Sequence, residues 1–147
     1  MSLSLIPPRL TFVAEVRVTV SPALTIGANG AGVRDVIPIT GGTIRGPLLS
    51  AEVLPGGADW SLLRPSGIAE VWARYTVRTD DGSLIMVTNA GLASADEIGN
   101  WQGTTAPSFE VATNSPHAWL AGSTFVGSLD ASASGDLVVM QWWRLVR

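Results

Sequence analysis

The sequence has no cysteine and a single histidine, His117, in 147 residues. The first absence removes any disulfide frame, and the two together remove the His- and Cys-rich sites that hold zinc, so no metal is expected. A Ser-His-Asp triad would have to use His117, and no serine sits in a G-x-S-x-G turn; His117 is expected instead as a turn residue after Pro116. Charge is also scarce: 14% of residues carry it, with a net charge of −3. The arginines are dispersed singly, which excludes a phosphate-tracking surface and hence a nucleic-acid partner. Apolar runs stay well below the roughly 18 to 20 residues that a spanning helix needs, and no basic amphipathic helix is present, so no membrane partner is expected. The start, Met1 to Pro8, lacks the basic region and the apolar length of a secretory signal, and a cytoplasmic location follows as an expectation. The glycine-rich stretch Gly27 to Gly32 has the wrong spacing for a dinucleotide fingerprint and is followed by β-type sequence, and no Walker-type loop occurs; no cofactor is expected.

What is present is hydrophobic and β-forming. Hydrophobic residues make up 46% of the chain, enough for one core, and the chain is read as one domain, residues 1–147. A surface so poor in charge suggests partial cover by a second copy, so a homo-oligomer, a dimer, is expected. Residues 10–20 alternate with period two, placing Phe12, Ala14, Val16 and Val18 on one face. Further β-type runs fall at about 33–39, 43–54, 67–79, 83–90, 108–113, 118–127 and 137–146, punctuated by turn signals such as Asp80-Asp81-Gly82. Only residues 94–101 look helical, with Ser94 and Glu97 spaced as a capping box. The pattern predicts an all-β fold: a single antiparallel β-barrel of about eight strands with one short helix, because closure removes exposed sheet edges.

Carboxylates, arginines, one tyrosine and six tryptophans remain for function. The segment from Gly46 through Glu52 to Trp60 is a strand running into a glycine-rich corner that ends in Asp59 and Trp60, a place where chain and side chains can approach a ligand. The plainer reading makes Asp59 a turn former and Trp60 a hydrophobic plug. In the run 67–77, Glu70, Trp72, Arg74 and Thr76 share one face, and Ala69, Val71, Ala73, Tyr75 and Val77 share the other. If the polar row lines a hollow barrel, Arg74 can hold an oxyanion and a buried acid can move a proton; if the apolar row fills the barrel, Glu70 and Arg74 merely pair outside. The tryptophans suit either the walls of a small-molecule pocket or a core and interface. Adjacent Trp142 and Trp143 must point opposite ways in a strand.

The blocks Ile39-Thr40-Gly41-Gly42, Leu54-Pro55-Gly56-Gly57-Ala58-Asp59-Trp60, Ala73-Arg74-Tyr75 with Thr79-Asp80-Asp81-Gly82, and Trp119-Leu120 resemble the family known as domain of unknown function 3237 (DUF3237). The resemblance implies a compact β-barrel without one activity common to all members, and carries the family's marked residues onto Asp59, Trp60, Arg74, Tyr75, Asp81, Gly82 and Trp119. The chain departs from that pattern at Ser66-Gly67 and at Ala121. Together these readings predict a cofactor-independent acid/base enzyme of lyase, isomerase or cyclase type, acting on an apolar, aromatic small molecule at one barrel end. Arg74, Asp59, Glu70 and Tyr75 are the candidate catalytic residues, and Trp60, Trp72, Trp119 and Glu52 the candidate ligand contacts. The alternatives are a non-catalytic binding barrel and a structural dimer module.

Overall fold

The computed structural model describes residues 2–147 and contains ten antiparallel strands: β1 (Arg9–Val20), β2 (Leu24–Asn29), β3 (Gly32–Arg45), β4 (Ala51–Val53), β5 (Ala58–Leu63), β6 (Ala69–Thr79), β7 (Leu84–Ala95), β8 (Trp101–Glu110), β9 (Thr124–Ala131) and β10 (Leu137–Val146). They build a closed eight-stave barrel. From β6 to β10 each strand pairs antiparallel with the next, β8 and β9 being joined by a long connection, β10 pairs with β1, and β1 pairs with β3 to close the ring. Short β4 and β5 stand end to end between β3 and β6 as one stave, while β2 lies outside the ring as a hairpin arm on the first half of β3. The first and last strands meet in the β1–β10 pair, where Arg9 lies opposite Val146. At the closing seam the β1 backbone presses on Gly42, whose missing Cβ would otherwise sit on the Arg17 carbonyl.

Alternation decides which side chains enter the barrel, and the ring is not filled evenly. At one end the side chains are large: Trp142, Phe125, Ile44 and Leu120 are almost wholly buried, and Phe109 meets Phe125 and Trp142 edge to face at 5.0 and 5.4 Å. A single 3-10 turn, Ala118–Gly122, covers this end by inserting Leu120. Toward the other end the inward positions of β6 and β7 shrink to Ala73, Ala69 and Ala93, and a cavity of about 230 Å³ opens. Side chains this small do not span a barrel of eight staves, so the space is a direct result of residue choice.

The architecture agrees with the sequence pattern, and the differences have local causes. Residues 94–101 are not helical: β7 runs through Ala95, and the Asp96 carboxylate accepts the N–H groups of Ile98 and Asn100, closing a turn where a helix start was predicted. β1 carries a bulge between Phe12 and Ala14. The extra residue puts both Val13 and Ala14 inside and turns Phe12 outward, against the outer Trp143 at 6.1 Å. Its neighbour Trp142 is inside, as alternation demands. The sequence pattern predicts loop and corner where β2 and β5 form, and strand at residues 118–122 where the chain makes the 3-10 turn. Among the described residues, no helix is long and apolar enough to cross a membrane.

Candidate functional site

Four adjacent strands send polar side chains into the cavity: Asp35 from β3, Asp59 and Ser61 from β5, Tyr75 from β6 and Asn89 from β7. Their order follows from register. Ile37, Asp59, Ala73 and Asn89 lie side by side across β3, β5, β6 and β7. Asp59 and Asn89 are therefore two strand spacings apart, about 9 to 10 Å along the wall, with only the methyl of Ala73 between them. Tyr75 stands one inward position beyond Ala73, diagonal to Asn89. The remaining wall is largely aliphatic, with Val18, Leu129 and Met140 opposite, Ile39 next along β3 and Trp101 at the rim.

Asp59 is held by an opening in the sheet. The β5–β6 ladder pairs Asp59 with Ala73 and resumes in the same register at Leu62 and Glu70, and in the gap the Trp72 N–H donates to Asp59 Oδ1 at 2.9 Å. Burial pushes this carboxyl up to about 6, against the opposing pulls of the Trp72 N–H and the Arg34 charge. Such a group holds or releases a proton near neutrality. The corner before it works because Gly57 packs flat on β6: a Cβ there would lie 2.6 Å from the Tyr75 Cβ. Burial also raises the Tyr75 phenol above its ordinary range, so it stays protonated.

Several of these polar atoms lack a protein partner. Tyr75 Oη, Asn89 Oδ1 and Asp35 Oδ1 are buried and unpaired; Thr105 Oγ1 and Trp142 Nε1, elsewhere in the interior, share that condition. The Asn89 amide is nonetheless oriented, because its Nδ2 donates to Met140 Sδ at 3.0 Å. Among the described residues, no group of three or more His, Cys, Asp or Glu is placed to hold a metal ion.

Of the sequence candidates, the structure brings Asp59 and Tyr75 together in this cavity. The rest lie elsewhere. On β6 the apolar row, Ala69 to Val77, faces in, so Glu70, Trp72 and Arg74 face out; burying the charged row instead would strip it of water without pairing. Arg74 contacts Glu110 at 3.3 Å and Glu70 contacts Arg64 at 2.8 Å, both exposed, so Glu70 and Arg74 do not pair with each other as expected. The expectation that Arg74 looks into the barrel does not hold, and no bulge brings it beside Tyr75. Trp60 and Trp72 stack edge to face at 5.8 Å on the outer wall, and Glu52 is exposed on β4. Trp119 sits at the filled end, against Phe125 and beneath the Arg144 guanidinium at 5.3 Å. Asp81 is a turn residue: hydrogen bonds from Thr79 and Ser83 hold its carboxyl well below the usual range, and His117 lies 3.4 Å away.

Sequence reasoning missed Asp35, Ser61, Asn89 and Trp101. A signal existed for two of them. Asp35 shares its alternation phase with Ile37 and Ile39, and Asn89 with Ile85 and Val87, and a polar residue in phase with an apolar row marks a wall position with a task.

Known proteins share this architecture. A β-barrel-like protein from Acinetobacter baumannii AYE superposes with a TM-score of 0.88 at 29% identity, over 98% of this chain and 99% of that one. A crystal structure described as an enzyme from Penicillium herquei superposes with a TM-score of 0.76 at 25% identity over 99% of each chain. In sequence, a UPF0311 protein of Rhodopseudomonas palustris is 40% identical over 55% of this chain, and a protein named hydroalkoxylation enzyme phnH, from Penicillium herquei, is 32% identical over 57%. The chain spans about half the length of the curated relatives it matches, 53% for the former and 56% for the latter. The family described as Protein of unknown function (DUF3237) matches residues 8–145, and the chain belongs to it.

Proposed function

We propose that the protein is an acid/base enzyme of isomerase, cyclase or lyase type, moving a proton on an apolar small molecule held in the hollow end of the barrel, with Asp59 as the proton carrier. The observation that carries this reading is a carboxyl pushed up to about 6 in the wall of a largely aliphatic cavity. A group poised near the working pH gives up and regains a proton with the least loss in either direction. The neutral Tyr75 phenol beside it is a hydrogen-bond donor for an oxygen that gains charge during the transfer. The name of the Penicillium herquei relative supports the same class, since hydroalkoxylation adds an O–H across a C=C bond: oxygen loses a proton, carbon gains one, and no electrons are exchanged.

The test is deuterium uptake at carbon. Small ring compounds bearing an alkene or an acidic C–H are incubated with the protein in D₂O and analysed by mass spectrometry, which reports proton transfer whatever the net direction. Wild-type protein is expected to label at least one compound that binds, and Asp59→Asn to label it on the order of a hundredfold more slowly. The pH profile is expected to bend near 6. The carboxylate form grows as pH rises through that value, so a rate limited by proton removal increases there and one limited by proton donation decreases. A flat profile, or labelling retained in Asp59→Asn, removes Asp59 from the mechanism. Ligand binding without any labelling favours the non-catalytic binding barrel.

A further inference from the structure

We infer that the cavity recognises its ligand by a hydroxyl group on an apolar ring, seated between Tyr75 and Asn89; this rests on the acid/base reading for the choice of cavity. Both side chains are deeply buried, Tyr75 2% and Asn89 1% exposed, and each presents an atom without a protein partner. Their needs differ. Asn89 Oδ1 only accepts, and the hydrogen bond from its Nδ2 to Met140 Sδ keeps that oxygen from rotating away. The Tyr75 hydroxyl is a donor in search of an acceptor. A ligand hydroxyl answers both at once, donating to Asn89 and accepting from Tyr75. An ether or ketone serves Tyr75 alone and leaves the amide oxygen orphaned, at the cost of an unmet buried acceptor. A carboxylate meets no cation among the residues lining the cavity, and it faces Asp35 and Asp59.

Size limits the ring. A dry cavity of about 150 Å³ holds benzene, so the space here holds on the order of nine non-hydrogen atoms: one six-membered ring with a hydroxyl and a short substituent. The bulk of the wall is aliphatic, which suits either an aromatic or a saturated ring, and Met140 adds a sulfur that favours an aromatic face.

Calorimetric titration with four compounds of matched size, about nine non-hydrogen atoms each, tests the inference. These are 4-ethylphenol, 4-ethylcyclohexanol, 4-methylanisole and 4-methylbenzylamine. At least one of the two hydroxyl compounds is expected to bind tenfold or more tightly than the anisole, and whichever leads identifies the ring type. That advantage is expected to shrink to about twofold in Tyr75→Phe and in Asn89→Leu. Thermal midpoints of both variants establish that they are folded, and Tyr75→Phe, which deletes one unpaired oxygen, stands as the milder of the two. An anisole affinity equal to that of the tighter-binding hydroxyl compound, strongest binding by the amine, or binding by none of the four overturns the inference. Failure here is separable from failure of the proposed function. A hydroxyl preference that survives in wild type and Asp59→Asn without deuterium uptake sinks the enzyme and spares the recognition site. Uptake without a hydroxyl preference does the reverse.

Discussion

The two ends of the barrel are built by the same staves, yet they are opposite in content. At the end covered by the 3-10 turn, Trp142, Phe125, Phe109 and Leu120 interlock, and stability there is a matter of packing. At the other end alanines replace them, a cavity remains, and Asp35, Asp59, Tyr75 and Asn89 intrude on an aliphatic wall. An interior selected for stability alone would not keep a carboxyl pushed up to about 6 next to unpaired polar atoms. The contrast teaches that one end holds the ring together by packing, while the other gives up packing for a polar-lined cavity.

Substitutions that exchange the character of the two ends break this contrast, and the largest effect is expected at the filled end. Trp142→Ala should cost about 3 to 5 kcal/mol, read from urea unfolding, because the indole is fully buried against Phe109. Ala73→Leu adds bulk to the empty end, where it should change stability by less than about 1.5 kcal/mol while abolishing binding of whichever hydroxyl compound binds best to wild type in calorimetry. A loss as large as that of Trp142→Ala would mean that the space is not open to a ligand.

Smaller effects sharpen the contrast through pH. Burial holds the Asp59 carboxyl at about 6 when folded, against 3.8 for the free side chain, so the folded state binds the extra proton between those values. Wild-type stability relative to Asp59→Asn therefore falls as pH rises from about 4 to 6 and levels off above. Asp59→Asn should be more stable by up to about 3 kcal/mol at pH 8 and equal to wild type below pH 4, measured by urea unfolding across pH. A difference independent of pH would show that burial of the charge is not the cause. Tyr75→Phe should stabilise by up to about 1 kcal/mol, since it deletes a buried oxygen without a partner. Smallest of all, Arg74→Ala and Glu70→Gln on the outer wall should shift stability by less than about 0.5 kcal/mol and leave deuterium labelling unchanged.

The barrel was legible because period-two alternation and turn residues recur along most of the chain, and Asp59 was legible from its corner, Pro55-Gly56-Gly57. The inward face of β6 was not. Its two rows are Glu70, Trp72, Arg74 and Thr76 against Ala69, Val71, Ala73 and Tyr75, and the indole makes the outer row look as buriable as the inner. A single strand cannot say whether a barrel is hollow: that depends on which residues neighbouring staves set beside it, and Ala73 becomes a gap only because Asp59 and Asn89 flank it. The bulge in β1 was hidden for a related reason, since Val13 is as apolar as the residues on either side and breaks no pattern when it slips inward. Residues 118–122 read as strand because Trp119 and Leu120 are strongly hydrophobic, although they cover the barrel end and do not join its wall.

The pairing of Arg9 with Val146 places the first and last strands side by side, with the start of β1 and the end of β10 at the packed half, remote from the mouth. A short linker can therefore join Arg9 to Val146, and the chain can be reopened at the exposed tip between β9 and β10, near Ser134 and Gly135, to give a circular permutant with the same ring. For the same reason, a surface tether or fluorescent reporter attached beside Arg9 or Val146 hangs from the packed base and leaves the mouth of the cavity unobstructed.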